Sequence, residues 1–186
     1  MKTDVRWKPW MGNGLEHCNA TLDDEGLTLS GVVAGARETE YGAYYVVRTD
    51  TMFHTSEVRV QYIGGPVLHI EANGEGEWYD LLADAPLPDL KGCIDVDIGV
   101  TPATNTLPIK RLGLKPGESC DIVAAYVPLP SQVTGTFTPT AARQRYTCIE
   151  MGQTYRYEGL FRGFTAELQI DAFGLVLDYP ETFRRV

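Results

Sequence analysis

Apolar and polar residues alternate along most of the chain. In Thr55–Ile63, Val58, Val60 and Tyr62 take one face while Glu57, Arg59 and Gln61 take the other, the period-two signature of a half-buried strand. Phe164–Ile170 repeats it, with Phe164, Ala166, Leu168 and Ile170 opposite Thr165, Glu167 and Gln169. Further strands are predicted over Leu27–Ala36, Tyr41–Thr49, Val67–Ala72, Gly76–Leu82, Cys93–Gly99, Cys120–Val127, Gln144–Glu150, Thr154–Glu158 and Gly174–Tyr179. Asn73-Gly74 predicts a hairpin between two of them. Helical periodicity is poor. Two short helices are expected, Asn105–Leu112 capped by Asn105, and Thr138–Arg145 with Thr138 as cap and Pro139 at its first position. With no internal repeat and no linker-like shift in composition, this pattern implies one domain over residues 1–186. Its class is mainly β: an antiparallel sheet, a sandwich or a barrel.

Charge narrows the partners. A net charge of −9 leaves no basic face for nucleic acid or for docking on an anionic membrane. No window approaches the ~20 apolar residues of a membrane span, and Met1–Cys18 lacks the apolar core of a secretory signal. No transmembrane segment and a cytoplasmic location are therefore expected. Cys18, Cys93, Cys120 and Cys148 form no C-x-x-C and lie near no histidine pair, so four reduced thiols are expected rather than a zinc site. His17, His54 and His69 sit in separate segments, and His69 reads as a structural, hydrogen-bonded strand residue. Phosphate-binding and nucleophile-elbow motifs are absent. The expected cofactors and metals are none.

Chemistry concentrates in Gly92–Leu114, GCIDVDIGVTPATNTLPIKRLGL. Alternation puts Ile94, Val96 and Ile98 on one face and Asp95 with Asp97 on the other, roughly 6.5–7 Å apart at their backbones. Two carboxylates so placed repel unless solvent, a cation or donors share the site. They suit acid–base work across a sugar, part of a hard-cation site, recognition of sugar hydroxyls, or a solvated strand face. Asn105 lies in a segment stiffened by Pro102 and Pro108, where its amide can hold a sugar or fold onto nearby backbone. Arg111 can pair with one aspartate or point to solvent. Trp78 stacks on a sugar or packs internally. Asp171 reads as a turn residue, whereas Asp178 and Glu16 are candidate acids for a pocket. Trp7 and Trp10 anchor the N-terminal end to the sheet or to a second subunit.

At these residues the chain resembles a bacterial family known as putative glycolipid-binding proteins, once catalogued as a domain of unknown function. The matching landmarks are Gly14-Leu15-Glu16, Tyr45-Val46-Val47, Val58-Arg59-Val60, Gly74–Trp78, the Gly92–Leu114 block and Asp171 through Pro180. The resemblance implies a large antiparallel sheet curled into a half-barrel around a single helix, similar to bacterial lipoprotein carriers. It also implies an acidic pocket and a homodimer. The expected ligand is a glycolipid or related amphiphile, with acyl chains on the concave face and the sugar near Asp95 and Asp97. The ligand-binding set is then Asp95, Asp97, Asn105, Arg111, Trp78, Asp178 and Glu16. Two alternatives stand beside this: a glycoconjugate-acting enzyme using Asp95 with Asp97 or Asp178, and a structural or regulatory dimer whose acidic loop binds a protein.

Overall fold

The computed structural model describes residues 1–186. Eight strands come first: β1 (Lys2–Pro9), β2 (Leu15–Leu22), β3 (Leu27–Gly35), β4 (Tyr41–Thr49), β5 (Thr55–Tyr62), β6 (Val67–Ala72), β7 (Trp78–Asp80) and β8 (Ala85–Pro86). They run as an antiparallel meander. After β9 (Asp95–Ile98), helix α1 (Thr106–Leu112) leads to β10 (Ser119–Val127), β11 (Thr140–Glu150), β12 (Thr154–Gly159) and β13 (Phe164–Gln169). Finally β14 (Asp178–Tyr179) and β15 (Phe183–Arg185) return to β1, so the first sheet has ten strands in the order β14-β15-β1-β2-β3-β4-β5-β6-β7-β8. The second has five, β13-β12-β11-β10-β9, with only β9 and β10 parallel. The protein is mainly β, with one sheet curled into a half-barrel around the single helix.

The helix lies where two cores meet. Leu107 belongs to a 28-residue cluster that fills the concave side of the large sheet, with Trp7, Tyr45, Leu68 and Trp78. Ile109 belongs to a second cluster of 12 residues on the inner face of the small sheet, with Tyr146, Tyr157, Leu168 and Tyr179. Gly113, at φ +55°, closes the helix in the left-handed conformation that favours glycine. Gly76, at φ +89°, shapes the hairpin after β6, and a Cβ there would lie 2.7 Å from the backbone of Gly92. That close approach leaves no room for a side chain at position 76.

Several expectations change. The Thr138–Arg145 helix is instead the start of β11, because an eight-pair antiparallel register with β10 outweighs a local helix signal. Asn105 precedes α1 but its side chain makes no capping hydrogen bond. Val5, Trp7 and Pro9 alternate inward along β1, and Trp7 donates from Nε1 to the Val176 carbonyl at 2.7 Å. That end is locked onto the sheet within the chain. The Gly174–Tyr179 strand reduces to a bridge between Ile170 and Val176 and the two residues of β14. Asp171 is a turn residue, accepting from the Phe173 and Leu175 amides. His69 hydrogen-bonds Glu57 at 2.8 Å. All four cysteines are free thiols. Burial pushes Cys18 up to about 12 and Cys93 up to about 11, which keeps both protonated and unreactive. No helix is long and apolar enough to cross a membrane.

Candidate functional site

Strand β9 carries both aspartates on the face that looks toward α1 and the second core, away from Val96 and Ile98. Asp95 is buried and Asp97 half-buried. Asp95 is 1% exposed, and Arg111, in the last turn of α1, grips it at both oxygens, with Nη2 to Oδ2 at 2.6 Å and Nε to Oδ1 at 3.1 Å. Burial raises the Asp95 pKa, and the guanidinium draws it back. The Asp95 carboxylate is fully occupied by this pair.

Asp97 is different. Gln144, buried on β11, donates to its Oδ2 at 2.7 Å, and its Oδ1 accepts no hydrogen bond from the protein. Burial raises its pKa, with Gln144 first and then Arg162 and Arg37 opposing. The residue lines a cavity of about 190 Å³ at the seam between the sheets. Asn105 lines it too, donating from Nδ2 to the Pro102 carbonyl (3.0 Å) and accepting at Oδ1 from the Tyr146 hydroxyl (2.9 Å). Tyr126, Tyr157, Phe161, Phe164, Tyr179 and Phe183 wall the cavity. Their rings support one another, with Tyr157 meeting Tyr179 edge-on at 6.0 Å and Tyr126 tilted on Phe161 at 5.7 Å. Burial pushes the Tyr157 and Tyr179 hydroxyls up, so both stay neutral near pH 7. Arg37 and Arg162 also line the cavity, so its charge is mixed rather than uniformly acidic.

The other expected residues fall elsewhere. Glu16 is buried one step away: its Oε1 accepts from the Tyr45 hydroxyl (2.5 Å) and from Thr101 (2.6 Å), which itself lines the Asp97 cavity. Its Oε2 has no partner. Burial raises its pKa to about 8 against those two hydrogen bonds, so it is mostly protonated at neutral pH. Trp78 donates from Nε1 to the Cys93 carbonyl at 2.8 Å and lines a separate, more apolar groove of about 540 Å³ with Ala72, Tyr79 and Pro86–Pro88. Asp178 is exposed and lines neither space. The structure thus joins Asp97 and Asn105, keeps Glu16 behind them, and leaves Trp78, Asp178 and the Asp95–Arg111 pair outside the cavity. Asp95 and Asp97 do not face a shared cavity as an acid–base pair would. The concave face is filled by the protein's own core, which leaves no lumen there for acyl chains.

Sequence reasoning did not single out the aromatic wall or the two arginines. Tyr155 and Tyr157 alternate on β12 as core strand residues do, and Arg37 sits in a charged turn. Nothing local distinguishes a cavity wall from a core face.

The architecture is a β half-barrel closed around one helix, with a ring-sized mixed-charge cavity at the seam of its two sheets. The chain belongs to the family described as "Putative glycolipid-binding", which it matches over residues 4–185. It is similar to a solved structure, a DUF1089 family protein from Pseudomonas aeruginosa, at 34% identity and a TM-score of 0.78, covering 95% of this chain and 94% of that one. No curated protein matches it.

Proposed function

We propose that the protein binds the sugar head of a glycolipid or related amphiphile in the Asp97 cavity, as a binding protein of glycolipid or cell-envelope metabolism rather than an enzyme. One observation carries this reading: a carboxylate with a free oxygen lines an aromatic-walled recess of about 190 Å³. Pockets for drug-sized ligands run to about 300–1,000 Å³, so this one takes a single ring. Aromatic faces cover the apolar face of a pyranose while Asp97 accepts from its hydroxyls. An open groove of about 570 Å³ shares Tyr126, Phe161 and Arg162 with the cavity and is lined beyond them by Thr134, Thr136, Thr138 and Thr140. The segment attached to the ring, a glycerol backbone or a second sugar, leaves along that groove. Recognition centres on the head, and the hydrocarbon lies outside the core. Asp95, Arg111 and Glu16 hold β9 and Thr101 in place behind it.

Native mass spectrometry after exposure to bacterial lipid extract tests the reading. A retained amphiphile is expected in the wild type. Thr182, half-buried on the cavity lining, offers a blocking variant: Thr182→Trp should fill the recess and abolish retention while the circular dichroism spectrum stays unchanged. Retention that survives Thr182→Trp would contradict the site, and no retention at all would contradict the function. The same reading carries a cytoplasmic homodimer, for which light scattering should give a mass near twice 20.6 kDa; the single-chain mass would remove the dimer.

A further inference from the structure

The Asp97 cavity holds two guanidinium groups, Arg37 and Arg162, that form no salt bridge with a carboxylate. Arg37 follows β3, uses Nη1 to donate to the Gly99 carbonyl at 2.6 Å, and lies over the Phe183 ring at 4.9 Å. Arg162 lies over Tyr126 at 4.3 Å and over Phe161 at 4.8 Å, with Nη2 donating to Gln132 at 3.2 Å. Other arginines of this chain meet carboxylates directly: Arg111 with Asp95, Arg145 with Asp121, Arg156 with Glu167, and Arg185 with Asp171. Arg37 and Arg162 make no such pair, like Arg6, Arg59 and Arg184, but they alone among these line the Asp97 cavity.

Each guanidinium carries five N–H donors and stays charged at every accessible pH. Each therefore keeps donors free after the contacts above. Stacking on aromatic rings fixes both planes in advance, which lowers the ordering cost of gripping a ligand. Asp97 is the one acidic residue of the lining. Glu38, the next acid along the chain from Arg37, is exposed and engaged by Ser131 and Gln132 outside the cavity. Among the lining residues two cations stand against one anion, and Glu38 acts on both guanidinium groups from outside the cavity.

Resting on the head-group reading above, we infer that the sugar ring bound here carries an anionic substituent, a carboxylate, sulfonate or phosphate, held by Arg37 and Arg162 while its hydroxyls meet Asp97. A neutral ring would leave the donors that Arg37 and Arg162 turn toward the cavity without a charged acceptor. A purely structural role for the arginines, as clamps on Gly99 and on the aromatic wall, gives no preference for charge.

Isothermal titration with octyl β-D-glucuronide and octyl β-D-glucoside separates these cases. The glucuronide is expected to bind about ten-fold more tightly or better, as charge-assisted hydrogen bonds require. Arg37→Gln and Arg162→Gln should each cut that ratio several-fold. Arg162 is exposed, so its variant keeps the test open if Arg37→Gln disturbs the Gly99 turn. Free glucuronic acid should compete with the octyl glucuronide where glucose at equal concentration does not, placing the preference in the ring rather than the tail. Equal affinity for the two octyl glycosides, or a ratio that both variants leave intact, overturns the inference alone. Failure of both to bind overturns the head-group reading and the inference with it.

Discussion

Arg111→Ala is expected to destabilise the fold by about 3–5 kcal/mol at neutral pH, the cost of leaving a buried charge without its partner. Asp95 is 1% exposed and Arg111 17% exposed, so water cannot replace the lost guanidinium without opening the junction of β9 and α1. In the variant the Asp95 carboxyl is buried alone and its pKa climbs further. The deficit should therefore shrink as pH falls and the carboxyl takes up a proton. Asp95→Asn combined with Arg111→Gln removes both charges and should recover much of the loss. Urea denaturation at pH 5 and pH 7 checks each variant. A loss under about 1 kcal/mol, the scale of an exposed ion pair, would mean that the pair is not a closed element of the core.

The second large effect is a slope with pH. The Glu16 pKa rises from 4.5 unfolded to about 8 in the fold, because burial disfavours its charge more than Thr101 and Tyr45 support it. Between those values the folded chain binds more protons than the unfolded one, so stability falls as pH rises. Its protonated form contributes fully below about 4.5, progressively less up to about 8, and nothing beyond. The shift corresponds to a loss of about 4–5 kcal/mol across that window. Glu16→Gln keeps an acceptor for Tyr45 and Thr101, puts an N–H₂ where Oε2 has no partner, and removes the titration. It should flatten the wild-type decline in urea-unfolding free energy from pH 5 to pH 8.5 and be the more stable protein at pH 8.5. Parallel profiles for the two proteins would show that Glu16 is ionised in the fold.

Glu16 also shows why part of the fold was hidden. Along β2 the inward positions are Glu16, Cys18 and Ala20, while apolar Leu15 points to solvent. The apolar pattern is inverted at Leu15 and Glu16, and the small Cys18 and Ala20 give too weak an alternation to mark a strand. In the β4–β6 meander, and in the Val58, Val60, Tyr62 row above all, apolar residues point inward as expected. Those strands were legible in the chain itself. The Gln144–Glu150 strand was legible, but the start of β11 failed for the opposite reason: Ala141, Ala142 and Arg143 favour a helix locally, and only pairing with β10 makes them a strand. Composition cannot report a pairing between distant segments.

The site was legible to the same degree. The Asp95/Asp97 alternation and the Pro102–Pro108 segment pointed to Asp97 and Asn105, both of which line the cavity. Which aspartate is free was not legible, because Arg111 reaches Asp95 only through the geometry of α1. The wall was hidden as well, since Phe161 comes from the turn between β12 and β13 while Tyr179 and Phe183 come from β14 and β15. Long-range convergence of this kind leaves no local pattern.

Chemical-shift mapping with octyl β-D-glucoside and octyl β-D-glucuronide tests the central claim most directly. The predicted result is a saturable set of amide shifts at Gly99, Thr101, Gly159 and Thr182, around the Asp97 cavity, with the Trp78 groove unaffected. Shifts centred on Trp78, Tyr79 and Leu87, or none with either glycoside, would contradict it.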